Sequence, residues 1–388
     1  KTVILSMDFS EVIGQQHIKS HLIKTVENGR IPHTQLFIGN TGSGILSLAL
    51  SYAKEILCHS FKKGSDEYVS CANKIEKLAH PDLHFVYPVN TNEDIKKNPI
   101  SDNFANEWRD FVLKNPYASL YDWYQFIGIE KKQGNISKFE AVAISKKLSL
   151  KAYEGGYKVM IIWMADKMNN ECSNQLLKLV EEPPEKTVLL LLTENAEQVL
   201  VTIQSRCQKL HIPLLSEEDI QSQLINNHQV NYNEAKKISH QSNGDFNKAL
   251  HILKNDGDEV FFENLFVFWV RTAFKAKGNK TAINDLFDWS EELAKEGRET
   301  QKKFLSFCLE IFRQAMLKNY KADSLIYFES HDGKFSFDKF SAYIHQNNIF
   351  EIKEALEDAI YHIERNGNAK IIFTDLSIQL TRLIHRKE

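Results

Sequence analysis

Gly39-Asn40-Thr41-Gly42-Ser43-Gly44 forms a glycine-rich loop between a short apolar run, Gln35-Leu36-Phe37-Ile38, and an apolar-periodic stretch from Leu46 to Leu57. A strand, a loop of this kind and a helix together make a phosphate-binding turn, because glycines let backbone N–H groups surround phosphate oxygens at a helix N-terminus. The chemistry in view is binding and hydrolysis of a nucleoside triphosphate. A working loop continues with a lysine that reaches the outer phosphates and a hydroxyl that holds Mg²⁺. Here those places are Ile45 and Leu46, which can neither ligate a metal nor balance a phosphate. Gly39, Gly42, Gly44, Ile45 and Leu46 therefore read as a vestigial phosphate loop. Backbone N–H groups need no side chain, so residual nucleotide binding stays open at this point.

Hydrolysis also needs acids at the end of a later strand, to hold Mg²⁺ and polarise the attacking water. After Ile161-Ile162 the chain has Trp163 and Met164 instead. Asp166 falls in the helix predicted next, as a first-turn acid favoured by the helix dipole. The losses at the loop and at the strand are independent, and no intrinsic ATPase activity and no bound cofactor are expected.

The elements that must position these residues alternate. Residues 8–33 are predicted helical, with Ile18, Leu22, Ile23 and Val26 on one face. Helix 46–57 precedes a polar, glycine-containing stretch to Cys71, and Leu83–Tyr87 reads as a strand stopped by Pro88. Helix 137–150, strand Tyr157–Met164, helix Ala165–Glu182 ended by Pro183-Pro184, strand Thr187–Thr193, helix 196–203 and strand Cys207–Ile212 follow. Strands alternating with helices imply a doubly wound α/β domain with a five-stranded parallel sheet. Beyond Leu215 no strand is predicted. Short helices over 216–255 and helical spacing from Glu259 to Arg386 complete the chain. Three domains are expected, at 1–213, 214–257 and 258–388. An insertion at about 90–133 brings Trp108, Phe111, Tyr117, Tyr121, Trp123, Tyr124 and Phe126, read as core aromatics, with a stacking platform for bases as the alternative.

The 388 residues carry a net charge of −3, too little for a strong nucleic-acid footprint of their own. Lys131, Lys132, Lys138, Lys146, Lys147, Lys151 and Lys158 cluster around helix 137–150, as a solvated face or a modest phosphate-contacting patch. Five cysteines, an odd number, read as reduced thiols in a cytoplasmic protein. Neither a signal-peptide pattern nor a membrane-spanning run is apparent, and Met7 is a candidate start in place of Lys1.

Leu176-Leu177-Lys178-Leu179-Val180-Glu181-Glu182-Pro183-Pro184, Ser205-Arg206-Cys207 and Gly244-Asp245-Phe246-Asn247-Lys248-Ala249-Leu250 occur in that order. With Ile13-Gly14-Gln15 and His33…Leu36-Phe37-Ile38-Gly39, they resemble bacterial DNA polymerase III clamp-loader subunits, and most nearly the delta prime type. The resemblance covers residues 8–255; beyond them only helical character agrees. It implies an AAA+ module, a small helical lid and an all-α collar that joins five subunits. It also implies that Arg206, with Ser205 and Cys207 beside it, reaches in trans the ATP held by a neighbouring subunit. A guanidinium is always charged and forks onto phosphate oxygens, which suits that role. The lid arginine that senses γ-phosphate in ATPase relatives matches Asn247, and Thr193 or Asn195 is left as a candidate sensor on the fourth strand. Many relatives carry a four-cysteine zinc module after the loop helix. Only Cys58 and Cys71, with His59 and His80 nearby, stand there, and plain thiols are expected, with zinc as the alternative.

The implied function is that of a non-hydrolysing subunit of the DNA polymerase III holoenzyme acting in DNA replication. Its partners would be gamma/tau-like ATPase subunits and a delta-like subunit in a hetero-pentamer. Through that complex it would meet the sliding clamp and primer-template DNA, with no membrane partner. Two alternatives stand beside it: an AAA+ ATPase with an unorthodox site, and a scaffold or DNA-binding relative in which Arg206 has no role at a neighbour's site.

Overall fold

The computed structural model describes residues 7–154, 156–254, 258–322, 325–328, 330, 333 and 335–386; Lys1 and the boundary at 257 lie outside them. Five parallel strands form one sheet in the order β2-β3-β4-β1-β5. They are β1 (Thr34–Ile38), β2 (Leu83–Val86), β3 (Lys158–Trp163), β4 (Thr187–Thr193) and β5 (Gln208–His211). The helices that join them are α1 (Gln16–Glu27), α2 (Ile45–Cys58), α3 (Asp66–Glu76), α4 (Ala105–Lys114), α5 (Leu120–Phe126), α6 (Lys138–Ser149), α7 (Asn170–Glu181) and α8 (Val201–Gln204). Each residue of β3 and β4 is buried, as the unbroken apolar runs of a sheet covered on both faces require.

Side-chain alternation along those strands divides two cores. Met160, Ile162, Leu189 and Leu191 pack with α6 and α7 residues such as Ile144 and Leu176. Val159, Ile161, Trp163, Leu190 and Leu192 face the other way, onto α2 and the aromatics of the insertion. Trp108 stacks on Tyr87 with ring centroids 4.1 Å apart and meets Trp123 edge-on at 5.3 Å. Trp108 and Trp123 are 2% and 0% exposed, so these rings are core and offer bases no platform.

Four local readings shift. The helix read at 196–203 is a 3-10 turn over Ala196–Gln198 followed, after an extended Val199, by the short α8. Helix α1 begins at Gln16 and not near residue 8, because Gln15 is left-handed at φ 59. Helix α7 begins at Asn170, where the Asn169 side chain accepts the Cys172 N–H; Asp166 lies before it in a single 3-10 turn. Helix α3 fills the stretch read as irregular. Its cap, Ser65 accepting from Tyr68 N–H, and its early acids Asp66 and Glu67 were the available signal.

Helices α9 (Glu217–His228), α10 (Tyr232–Ser242) and α11 (Phe246–Lys254) belong to the same compact unit as the sheet. The second unit is all-α over α12 (Asp258–Lys275), α13 (Lys280–Ala294), α14 (Arg298–Asn319), α15 (Phe337–Ser341), α16 (Ile349–Glu364) and α17 (Ala369–Leu383). Trp269 and Trp289 stack at its centre at 5.2 Å. Sheet and helices together have the architecture of an AAA+ module followed by a helical collar. No helix among the described residues is long and apolar enough to cross a membrane.

Truncating Trp108 empties the centre of the aromatic core, so Trp108→Ala should lower unfolding free energy by about 3–5 kcal/mol in a urea titration. A loss below about 1 kcal/mol would mean that the rings pack loosely.

Candidate functional site

Helix α2 is entered through Gly44, left-handed at φ 89, after Gly42 at φ 73. Ile45 and Leu46, in the places of lysine and hydroxyl, are 8% and 2% exposed and belong to the core beneath the sheet. The loop itself is covered. A Cβ at Gly42 would stand 1.8 Å from Asp245 Oδ1 and 2.7 Å from the Phe246 nitrogen, so only glycine admits the turn that opens α11. The Phe246 N–H donates to the Gly42 carbonyl at 3.3 Å. Gln15 Nε2 ties the other side, donating to the carbonyls of Ser43 at 3.2 Å and Pro213 at 2.6 Å.

The electrostatics oppose a phosphate. Thr41 donates its hydroxyl to Glu194. Loss of water pushes the Glu194 carboxyl up to about 7, with the carboxylates of Asp166 and Asp245 adding to the shift against the Thr41 bond and Lys167. Burial raises Asp245 to about 6 as well, against the N–H groups of Lys248 and Asn247. A polyanion placed here would meet acids where a working loop offers a lysine.

At the end of β3, Trp163 packs on Trp108 at 5.2 Å, and Met164 is buried in a left-handed turn at φ 57. Asp166 accepts the Thr193 hydroxyl at 2.8 Å and pairs with Lys167 at 2.9 Å. Thr193 also accepts the Asn195 N–H, and the Asn195 side chain caps Glu197, so both candidate sensors are engaged in local turns. Asn247, at the lost sensor position, is 5% exposed. It donates to Asp122 at 2.8 Å and accepts from Asn115 at 2.9 Å, both in the insertion. Asp122, Asn115 and Tyr117 carry no motif, and sequence reading alone did not place them at this cleft; Asp245 stands in the Gly-Asp motif, but its contact with Gly42 was not read from it. Tyr117 meets its partner Ile13 from 104 positions away.

Ser205-Arg206-Cys207 lies apart from the cleft, after α8. Arg206 and Ser205 are exposed, whereas Cys207 packs on the core and burial pushes its thiol up to about 12. The Arg206 Nε sits 3.1 Å from Glu181 Oε2, and Nη1 donates to the Thr202 carbonyl at 2.9 Å. The guanidinium thus rests on the Glu-Glu-Pro-Pro motif of its own chain.

Cys58 and Cys71 are joined in a disulfide, which corrects their reading as thiols: packing α3 on the end of α2 brings their Cα atoms to 6.0 Å. Ligand atoms of Cys71, His80 and Glu154 lie within 4.8 Å of one another. Each has a protein partner: Cys71 its disulfide, His80 Nε2 the Glu154 carboxylate and Nδ1 the Asp82 N–H, and Glu154 also Lys74. That set does not fit a closed four-ligand zinc site. Among the clustered lysines, Lys138 pairs with Glu171, Lys147 with Asp102, and Lys158 is buried on the carbonyls of Leu148 and Leu150.

Glu194 gives a pH signature. Its folded pKa is raised, so its contribution to stability is fully present below about pH 4.5 and is lost as pH rises through about 7. Glu194→Gln should flatten the stability profile across that window by on the order of 2 kcal/mol, read from urea titrations at stepped pH. An unchanged slope would place the carboxyl in water.

The family model described as DNA polymerase III, delta subunit, matches residues 14–216. The chain is 29% identical over 244 residues to DNA polymerase III subunit delta' of Bacillus subtilis, covering 62% of this chain and 60% of that protein. It is 28% identical over 218 residues to DNA polymerase III subunit tau of Escherichia coli, covering 56% of this chain and 27% of that protein. The chain thus spans less than two thirds of either relative. Among solved structures, a gamma subunit-related protein of Thermotoga maritima superposes with a TM-score of 0.40 at 16% identity, covering 94% of this chain and 99% of that one. With more than half of its residues matched by the family model, this chain belongs to the DNA polymerase III delta-subunit family and is homologous to that polymerase's delta prime and tau/gamma subunits.

Proposed function

We propose that the protein is a non-hydrolysing, delta prime-like subunit of the DNA polymerase III clamp loader. It sits beside an ATPase subunit, supplies Arg206 to the ATP held there, and so supports loading of the sliding clamp on primed DNA. The observation that carries this reading is an exposed guanidinium at the Ser-Arg-Cys turn of a module whose own loop lacks lysine, hydroxyl and metal-binding acids. A chain with no use for a phosphate-seeking arginine of its own keeps one at its surface. The Glu181 pair does not oppose the role. A solvent-exposed ion pair is worth about 0–1 kcal/mol, which a triphosphate readily outbids. The gamma/tau-like and delta-like partners would meet this chain through its α/β module and through a collar formed by residues 258–388. Phe261 and Phe268 on α12 and Phe287 on α13 are exposed apolar residues there that suit subunit contacts. Helices α9–α11 are the lid.

The assay is DNA- and clamp-stimulated ATP hydrolysis by the reconstituted loader with this chain wild type or Arg206→Ala, assembly being followed by gel filtration. With assembly intact, the rate should fall at least about tenfold, the loss of one charge-stabilising arginine. An unchanged rate would leave Arg206 as Glu181's partner only, and the protein as a scaffold.

A further inference from the structure

We propose that the insertion between β2 and α6 is a built-in occupant of the nucleotide cleft, with Tyr117 seated where a ligand would bridge the loop and the lid. The proposal rests on reading Gly39–Gly44 as a former phosphate loop. Tyr117 is 6% exposed and touches three walls of the cleft at once. Its hydroxyl accepts the Ile13 N–H at 2.9 Å from the N-terminal segment. Its ring lies on the loop, with Cε1 3.0 Å from where a Cβ of Gly44 would be. From the lid, Phe246 meets the ring edge-on at 5.1 Å. The lid's apolar core is in fact completed by Ile13 and Tyr117, which cluster with Ile220, Leu224, Phe246 and Leu250.

Polar contacts clamp the same junction. Asp122, in the capping box that starts α5, accepts from Asn247 at 2.8 Å and pairs with His251 at 3.2 Å, both on α11. Asn115 donates to Asn247 at 2.9 Å from the residue before Pro116. Further along, Trp108 and Phe111 cover Trp163 where the metal-binding acids are lost. Gly44, Trp163 and Asn247 are thus each met by residues of one segment. A bound nucleotide couples lid to loop only while it stays bound. A side chain of the same polypeptide does not diffuse away, so it couples lid to loop without a bound ligand.

Hydrogen exchange on the full chain, read by segment, tests this. Tyr117→Ala should speed exchange about tenfold or more in residues 11–15, 39–48 and 246–254, leaving β3, β4 and α12–α17 unchanged. Added phenol, which has the shape of the missing ring and hydroxyl, should restore protection. Tyr117→Phe keeps the ring and should speed only the Ile13 amide, by roughly fivefold for one lost hydrogen bond; it carries the test if Tyr117→Ala does not fold. Unchanged loop and lid exchange in Tyr117→Ala, or an unchanged Ile13 amide in Tyr117→Phe, would overturn the proposal. The readout needs no partner, so its failure is distinct from a failure of Arg206 to act on a neighbour's ATP.

Discussion

At Gly42 the backbone of the glycine loop meets the first turn of α11 directly. At Gly42 even a methyl group would collide with Asp245, and the Phe246 N–H reaches the Gly42 carbonyl directly. This approach uses the conformational freedom that a phosphate loop needs for a different end: the space beside Gly42 holds the Asp245 carboxylate of the same chain. Much else follows from that closeness. Asp245 and Glu194 are drawn out of water, the buried Asn247 is turned to hydrogen bonding, and the lid shares its core with Ile13 and Tyr117.

Substitution at the chemical positions and packing at the structural ones are two sides of one change. Ile45 and Leu46 cannot serve a triphosphate, and both lie in the core. Trp163 cannot hold Mg²⁺, and it gives Trp108 and Phe111 a surface to pack on. Apolar residues at these positions contribute burial free energy at roughly 25 cal/mol per Å² and leave no buried charge in need of a partner. Arg206 stands outside this exchange. It is exposed on a short turn after α8 and held by one surface ion pair with Glu181, a contact that a stronger anion can replace.

β3 and β4 were legible because they are nearly continuous apolar runs bounded by polar turns, and β4 begins and ends where Thr187 and Thr193 do. Ile45, Leu46, Trp163, Met164 and Asn247 could be singled out because the motifs around them are local in sequence. Helix ends were less legible: Gln15 adopts a left-handed backbone conformation and Met168 and Asn169 extended ones that no simple pattern announces, and these delay α1 and α7. The pairing of Cys58 with Cys71 was missed because it depends on how α3 packs on α2. The role of Tyr117 was missed for a similar reason. Among many aromatics its composition says only that it is buried, and its contacts with Ile13, Gly44 and Phe246 are long-range.

Equilibrium titration of the isolated full chain with Mg²⁺-ATP, with hydrolysis followed in the same samples, addresses the sealed loop most directly. A loop without lysine, covered by Asp245 and Tyr117, should show no saturable binding up to millimolar nucleotide and no turnover. Saturable binding at low micromolar concentration, accompanied by release of phosphate, would contradict it and restore this chain to the active ATPases.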